Sequence, residues 1–249
     1  MKKINTYLLT AILAATMFAC QNTTDQSKSN ESQTTNELIP LVEKVLSADE
    51  QAALTPDEII EMLKSGNKRF MSGDLTARDH SAQVRNSTFS QYPKAVILSC
   101  LDSRVPVSDV FDRGIGDIFV GRIAGNFVNV DMLGSMEFGC KVAGSKLILV
   151  MGHEHCGAVK SAIDDVELGN ITAMLSKIKP AVDLVSDFDG EKSSKNEAFV
   201  HEVCESNVKN TINEIRINSP ILKEMEENGE IKIIGAVYDM SAGEVVFLD

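Results

Sequence analysis

Apolar residues from position 95 onward fall into short runs. They occupy 95–99 (Ala95-Val96-Ile97-Leu98-Ser99), 117–122, 146–151 and 231–237. Continuous rather than alternating runs are the mark of strands buried on both faces of a parallel sheet. A shorter run at 244–248 follows the turn-like Asp239-Met240-Ser241-Ala242-Gly243. That spacing predicts a hairpin and hence an antiparallel last strand. Between the runs the spacing changes to a helical period, predicting helices over 131–142, 157–166, 171–185, 196–217 and 220–228. Upstream, Thr55-Pro56-Asp57-Glu58 combines an N-cap, a proline at the first helical position and acids in the first turn. Ile59, Ile60, Leu63 and Phe70 give that helix its apolar face, and Ser72-Gly73 ends it. The stretch Arg78 to Tyr92 is polar and predicts irregular structure. The alternation predicts an α/β fold: a mostly parallel β-sheet of four to five strands with flanking helices, the last strand antiparallel.

The first 19 residues read as a secretion signal. Lys2 and Lys3 form a basic start, and Tyr7 to Phe18 is apolar but too short for a dependable membrane span. Met17-Phe18-Ala19-Cys20 resembles the bacterial lipobox, which makes Cys20 the expected lipidation site. The alternative is an ordinary signal peptide cut near Ala19. Residues 20–37 then form the lipidated cysteine and a disordered tether rich in Ser, Thr, Asn and Gln. Residues 38–249 remain for one folded domain, enough for a single α/β core of about 200 residues. The expected location is the cell envelope, with the protein anchored by lipid to a membrane on its periplasmic or extracytoplasmic face.

Charge removes one class of partner. The formal net charge is −12, and loss of Lys2 and Lys3 makes it more negative. Nucleic-acid binding needs a basic face, so no nucleic acid is expected. No phosphate-binding Gly-x-x-x-x-Gly-Lys-Ser/Thr loop occurs, and Gly114-Ile115-Gly116 precedes a strand with the wrong spacing for a dinucleotide loop.

Candidate chemistry follows two of the apolar runs. Cys100-Leu101-Asp102-Ser103-Arg104 comes after the first, and Gly152-His153-Glu154-His155-Cys156-Gly157 after the third. Loops at the carboxyl ends of parallel strands are where α/β proteins place their chemistry. Two thiols, one imidazole and a fourth labile position describe a catalytic zinc site rather than a sealed structural one. The other cysteines besides Cys20, Cys140 and Cys204, lie in helical patterns. They are read as buried free thiols, with a disulfide between them as the alternative.

With these residues in view the chain resembles the β-class carbonic anhydrases. Cys-x-Asp-Ser-Arg is met by Cys100, Asp102, Ser103 and Arg104, and Gly-His-x-x-Cys-Gly by Gly152, His153, Cys156 and Gly157. Between them Arg122-Ile123-Ala124-Gly125-Asn126 is similar to the family's Arg-Asn-Ala-Gly-Asn, with Ile123 in place of Asn. The resemblance implies one zinc ion per subunit on Cys100, His153 and Cys156, and reversible hydration of CO2 to bicarbonate by zinc-bound hydroxide. It implies catalytic roles for Asp102 and Arg104. Asp102 is either a fourth ligand in a closed form or is paired with Arg104 in an open one.

Gln91, Phe119 and Phe138 match residues that line the substrate pocket of plant-like members, some contributed by the partner subunit. A homodimer or homotetramer is therefore implied. Members with a bicarbonate site that locks the closed form carry Trp where this chain has Ile97, and the chain has no Trp. The open form is expected. His155 is a candidate for proton export or a solvent-facing residue. Glu137 is a candidate for contact with the ligand shell or a plain helix acid. His80 and His201 are expected to be exposed and without a task. Relatives leave two other readings: a zinc hydrolase of carbonyl sulfide or carbon disulfide, and a lipoprotein that binds zinc or bicarbonate without turnover.

Overall fold

Five strands build one sheet: β1 (Ala95–Ser99), β2 (Ile118–Arg122), β3 (Leu147–His153), β4 (Lys232–Tyr238) and β5 (Val245–Phe247). The computed structural model describes residues 41–248. The secretion signal, Cys20 and the tether lie outside the described residues. The spatial order is β2-β1-β3-β4-β5. The first four strands run parallel and β5 is antiparallel to β4, as the run-and-turn pattern predicts. Every residue of β1 and β3 is buried, which explains why their sequences show no alternation.

Helices cover both faces: α1 (Ala48–Ala53), α2 (Pro56–Ser72), α3 (His80–Asn86), α4 (Val107–Val110), α5 (Val130–Glu137), α6 (Gly157–Ile163), α7 (Gly169–Leu175), α8 (Lys179–Asp183), α9 (Glu197–Asn218) and α10 (Pro220–Glu227). One face of the sheet presents Val96, Leu98, Ile148 and Val150 to α5, α9 and α10, with Met136, Val208, Ile215 and Leu222 filling the layer. The opposite face presents Ala95, Ile97, Leu147 and Leu149 to α2 and α4 through Ile59, Leu63, Val110 and Phe111. No described helix is long and apolar enough to cross a membrane.

The strand order creates a switch point. The chain leaves β1 for β2 on one side, then returns past β1 to lay down β3 on the other. In open α/β sheets such a reversal leaves a crevice beyond the carboxyl ends of the two strands. Cys100 directly follows β1, and His153 is the last residue of β3.

Four local features differ from the sequence expectation. The third strand runs two residues further than its apolar run, because Gly152 and His153 pair with Val237 and Tyr238 of β4. The helix expected over 131–142 ends at Glu137 and continues as a π-helical segment, Phe138–Val142, with the Ala143 N–H reaching the Phe138 carbonyl. A Cβ at Gly139 would lie 2.5 Å from Val96 Cγ2, so this widened turn lies close against β1. The helix expected over 171–185 is two helices, α7 and α8. Pro180 lies in the first turn of α8, where its missing N–H does no harm, but it could not continue α7. Finally, Arg78 to Tyr92 contains α3, capped by the Asp79 side chain accepting from the Ala82 N–H at 2.9 Å. Only Ala82 and Gln83 of α3 are buried, so no apolar period announces it.

Asp112 ties α2 to the strap before α3. Its fully buried carboxylate accepts from Arg69 Nε and Arg78 Nη1, both at 2.5 Å, and from Thr76 Oγ1 at 2.7 Å. Burial alone would push this carboxyl up; the bonds from Arg78, Thr76 and Arg69 outweigh it and hold it well below the usual carboxylate range. Asp112→Asn should destabilise the protein by about 3–5 kcal/mol in urea unfolding at pH 7, because two guanidinium groups lose their counter-charge. A depressed folded-state pKa adds stability that is complete above the unfolded value of about 3.9 and is lost as pH falls through the folded value. The gap between wild type and variant should therefore shrink in unfolding experiments at pH 3.

Candidate metal centre

Cys100, His153 and Cys156 meet at the crevice between β1 and β3. One donor atom from each lies within 4.8 Å of the other two, and all three residues are buried. The two sulfurs are 3.9 Å apart. A disulfide needs about 2.05 Å. Two sulfurs on one tetrahedral zinc at about 2.3 Å each lie about 3.8 Å apart. The observed spacing suits the second arrangement.

The chain reaches this geometry through two local devices. β3 delivers His153 at its final residue, and the next two residues turn the backbone so that Cys156 comes back toward it. His155 at the turn has φ +52, a left-handed conformation unusual outside glycine. On the β1 side, Arg122 at the end of β2 donates from Nε to the Cys100 carbonyl at 2.9 Å and from Nη2 to the Asp102 carbonyl. One guanidinium thus holds both carbonyls flanking Leu101.

The imidazole is committed to one tautomer. His153 Nδ1 is 2.8 Å from the Glu154 carbonyl, which accepts only if Nδ1 carries the proton. Nε2 is then a bare lone pair, and it is buried with no hydrogen-bond partner. Orphaned buried acceptors are rare. A metal ion bound with the two sulfurs resolves this one, so the residues present fit zinc.

The sulfurs are electrostatically unequal. Cys100 is pulled below its ordinary value, first by its contact with Cys156 and then by the Gly125 N–H at 3.4 Å, against the opposing effect of burial. Cys156 is pushed up by its contact with Cys100 and then by burial. Ionising one thiol therefore works against ionising the other. A dication bound between them would take both as thiolates. Cys140 and Cys204 behave differently: both are buried and unpaired, and burial pushes each up to about 12.

Asp102 borders the triad, with Oδ2 3.8 Å from His153 Nε2. Arg104 grips both carboxylate oxygens, Nε to Oδ1 at 2.9 Å and Nη2 to Oδ2 at 2.7 Å, and its backbone N–H adds a third bond to Oδ1. These bonds hold the Asp102 carboxyl far below the usual range and raise Arg104.

The remaining candidates lie elsewhere. Phe119 and Phe138 line a groove of about 690 Å³ along β2 and α5, with Val120, Val130, Met132 and Met136. Its lining includes none of Cys100, Asp102, His153 and Cys156. Gln91 is exposed on the segment entering β1. Glu137 accepts from Ser219 Oγ at 2.6 Å and so joins α5 to α10 rather than reaching the triad. His155 is half-exposed, 3.8 Å from Glu197. His201, expected to be exposed and without a task, is partly buried and lies 3.7 Å from Glu154 and 3.4 Å from Glu205. His80 is exposed at the start of α3.

Three contributors to the site carried no assigned role in the sequence. Arg122 and Gly125 appear there only as members of a recognised segment. Asn207, which donates to the Gly125 carbonyl at 2.8 Å, belongs to no motif.

Comparison with known proteins agrees with this geometry. The family described as "Carbonic anhydrase" matches residues 95–245. "Carbonic anhydrase 2" of Mycobacterium tuberculosis is 33% identical over 193 residues, spanning 75% of this chain and 90% of that one. The carbonic anhydrase of Mycolicibacterium smegmatis is 34% identical over 189 residues, covering 74% and 88%. Among solved structures, a tetrameric β-carbonic anhydrase from Sordaria macrospora shares the fold at TM-score 0.60 and 22% identity, covering 77% of this chain and 97% of that one. A Coccomyxa β-carbonic anhydrase in complex with acetazolamide gives 0.59 and 23%, covering 77% and 82%.

Arg122→Ala should weaken metal affinity by about 10- to 100-fold, measured by chelator competition, because the Cys100–Asp102 loop loses its clamp. An affinity equal to wild type would remove Arg122 from the site.

Proposed function

The chain belongs to the β-class carbonic anhydrase family, and on that premise we propose how its residues work, how it assembles and where it acts. It catalyses the reversible hydration of CO2 to bicarbonate and a proton, with zinc at the Cys-His-Cys triad. The observation that carries this reading is the buried, partnerless His153 Nε2 facing a sulfur pair at zinc-binding separation. Zinc supplies there a Lewis acid that lowers the pKa of a water toward neutrality.

The chain supplies orientation and charge. Asp102 accepts the hydrogen of the reacting water at its triad-facing oxygen and turns the oxygen lone pair toward carbon. Arg104 keeps that carboxylate ionised and draws it away from the metal position. The three Arg104–Asp102 hydrogen bonds support the open form as the working state. The Glu154 carbonyl accepts from His153 Nδ1 and fixes the ring with Nε2 turned toward the sulfurs.

Assembly completes the pocket. β2 is an edge strand, and Val120, Val130, Phe138 and Val142 beside it are exposed apolar residues. Such a patch is the mark of an interface. A second copy seated on it would cover the groove and offer its own Phe119, Phe138 and Gln91 as pocket walls, apolar surfaces suited to a nonpolar gas. The tetrameric Sordaria macrospora enzymes support dimers that pair further.

The N-terminal sequence supports a lipoprotein. Lys2-Lys3, the short apolar stretch and Ala19-Cys20 are read as a cleaved signal and an acylated cysteine. The enzyme would then act at the cell envelope, on CO2 or bicarbonate outside the cytoplasm.

Asp102→Asn should keep one zinc per subunit and lose at least about 100-fold in kcat/KM for CO2 hydration by stopped flow. Cys156→Ser should lose both zinc and activity; full hydration without metal refutes the triad's role. In cells, Cys20→Ser should move the protein from the membrane to the soluble fraction and abolish fatty-acid labelling.

A further inference from the structure

Asn207 lies in the middle of α9 and is 1% exposed, between fully buried neighbours Val203 and Val208. Its Nδ2 donates to the Gly125 carbonyl at 2.8 Å. Its Oδ1 has no partner among the described residues. A buried amide with one end unsatisfied is a net liability in an apolar layer. The single bond it makes therefore calls for a reason beyond stability.

That bond reaches the metal centre in one step. The Gly125 N–H points at Cys100 Sγ, 3.4 Å away. Gly125 has φ +81, and a Cβ there would lie 2.3 Å from Ile178 Cδ1. Both conformation and space demand glycine at this position. That N–H belongs to the peptide before the Gly125 Cα and the carbonyl held by Asn207 to the peptide after it; glycine is the residue least restricted between the two, so anchoring its carbonyl limits how far its N–H can swing.

We propose that Asn207 is a positioning residue of the metal centre, anchoring the Gly125 carbonyl and with it the turn from which the Gly125 N–H donates to Cys100 Sγ. The hydrogen bond draws electron density from that sulfur. In a dry site such a bond is strong, and it makes Cys100 a weaker donor to a bound dication. Two thiolates offset the positive charge of zinc and blunt its power to acidify water. Asn207 acts against this from α9, through the backbone of one residue, without touching metal or substrate. The proposal rests on the zinc reading only in taking Cys100 as a ligand.

The test uses the full chain with zinc exchanged for cobalt(II), in wild type, Asn207→Leu and Asn207→Met. Both substitutions remove the donor and the orphaned oxygen while keeping comparable volume, so the apolar layer can accept them. The expected result is one cobalt per subunit in each variant, a thiolate-to-cobalt absorption band shifted to lower energy, and a pH midpoint of kcat in the zinc enzyme raised by about half a unit or more. KM should change little, since Asn207 meets no substrate. If either variant folds and binds metal with band and midpoint unchanged, Asn207 merely stitches α9 to the loop and the proposal is overturned. A wild-type protein that binds no cobalt or zinc overturns the zinc reading itself, a different failure.

Discussion

The parallel pairing of β1 with β3 is the constraint on which the site depends. Ser99 is level with Met151, so the next residue of the first strand, Cys100, emerges beside Gly152 and His153 at the end of the third. Adjacent strands lie about 4.8 Å apart. A thiol and an imidazole delivered at that spacing can share one ion, and Cys156 needs only the tight turn through His155 to join them. A one-residue slip in this ladder would turn every β1 side chain to the other face and carry Cys100 away from His153. Full burial of both strands, with different helix layers on each face, prevents that slip.

The centre assembled in this way is costly without its metal. It places two thiols and a lone pair in a layer that also holds Phe127, Val159, Ile178 and Val203. A dication bound there would meet both sulfurs and the orphaned nitrogen together, so metal affinity and fold stability are linked. Around the ligands stand groups that orient them: the Glu154 carbonyl on His153, Arg104 on Asp102, Arg122 on the carbonyls of Cys100 and Asp102, and the Gly125 N–H on the Cys100 sulfur. Cys204 adds a bond from its thiol to the His153 carbonyl at 3.3 Å. Its sulfur also crowds Gly152, where a Cβ would lie 2.9 Å away, so α9 presses directly on the strand end that carries His153.

Legibility in the sequence followed burial. β1 and β3 were plain because strands buried on both faces read as uninterrupted apolar runs. α2 was plain because its capping box and proline stand at its start. α3 was hidden because it is a polar surface helix held by one cap and two buried residues. The break between α7 and α8 was signalled by Pro180, and the apolar period around it masked the signal. The π-helical segment had no sequence mark, because it arises where Gly139 is drawn close to Val96.

What the sequence determined by itself was the fold class, the direction of the strands and the identity of the ligands. Each is written in local order: apolar runs, turn residues, and cysteine and histidine placed where a strand stops. Only the tertiary structure decided which groups act on those ligands. Arg122, Gly125 and Asn207 reach the site from β2, a loop and α9, and none of their contacts is a matter of sequence spacing. It also decided that Phe119 and Phe138 face a groove beside β2 rather than the triad of their own chain. Backbone hydrogen bonding and apolar period are short-range and leave a trace in the sequence; side-chain contacts between distant elements exist only once the sheet has set their positions.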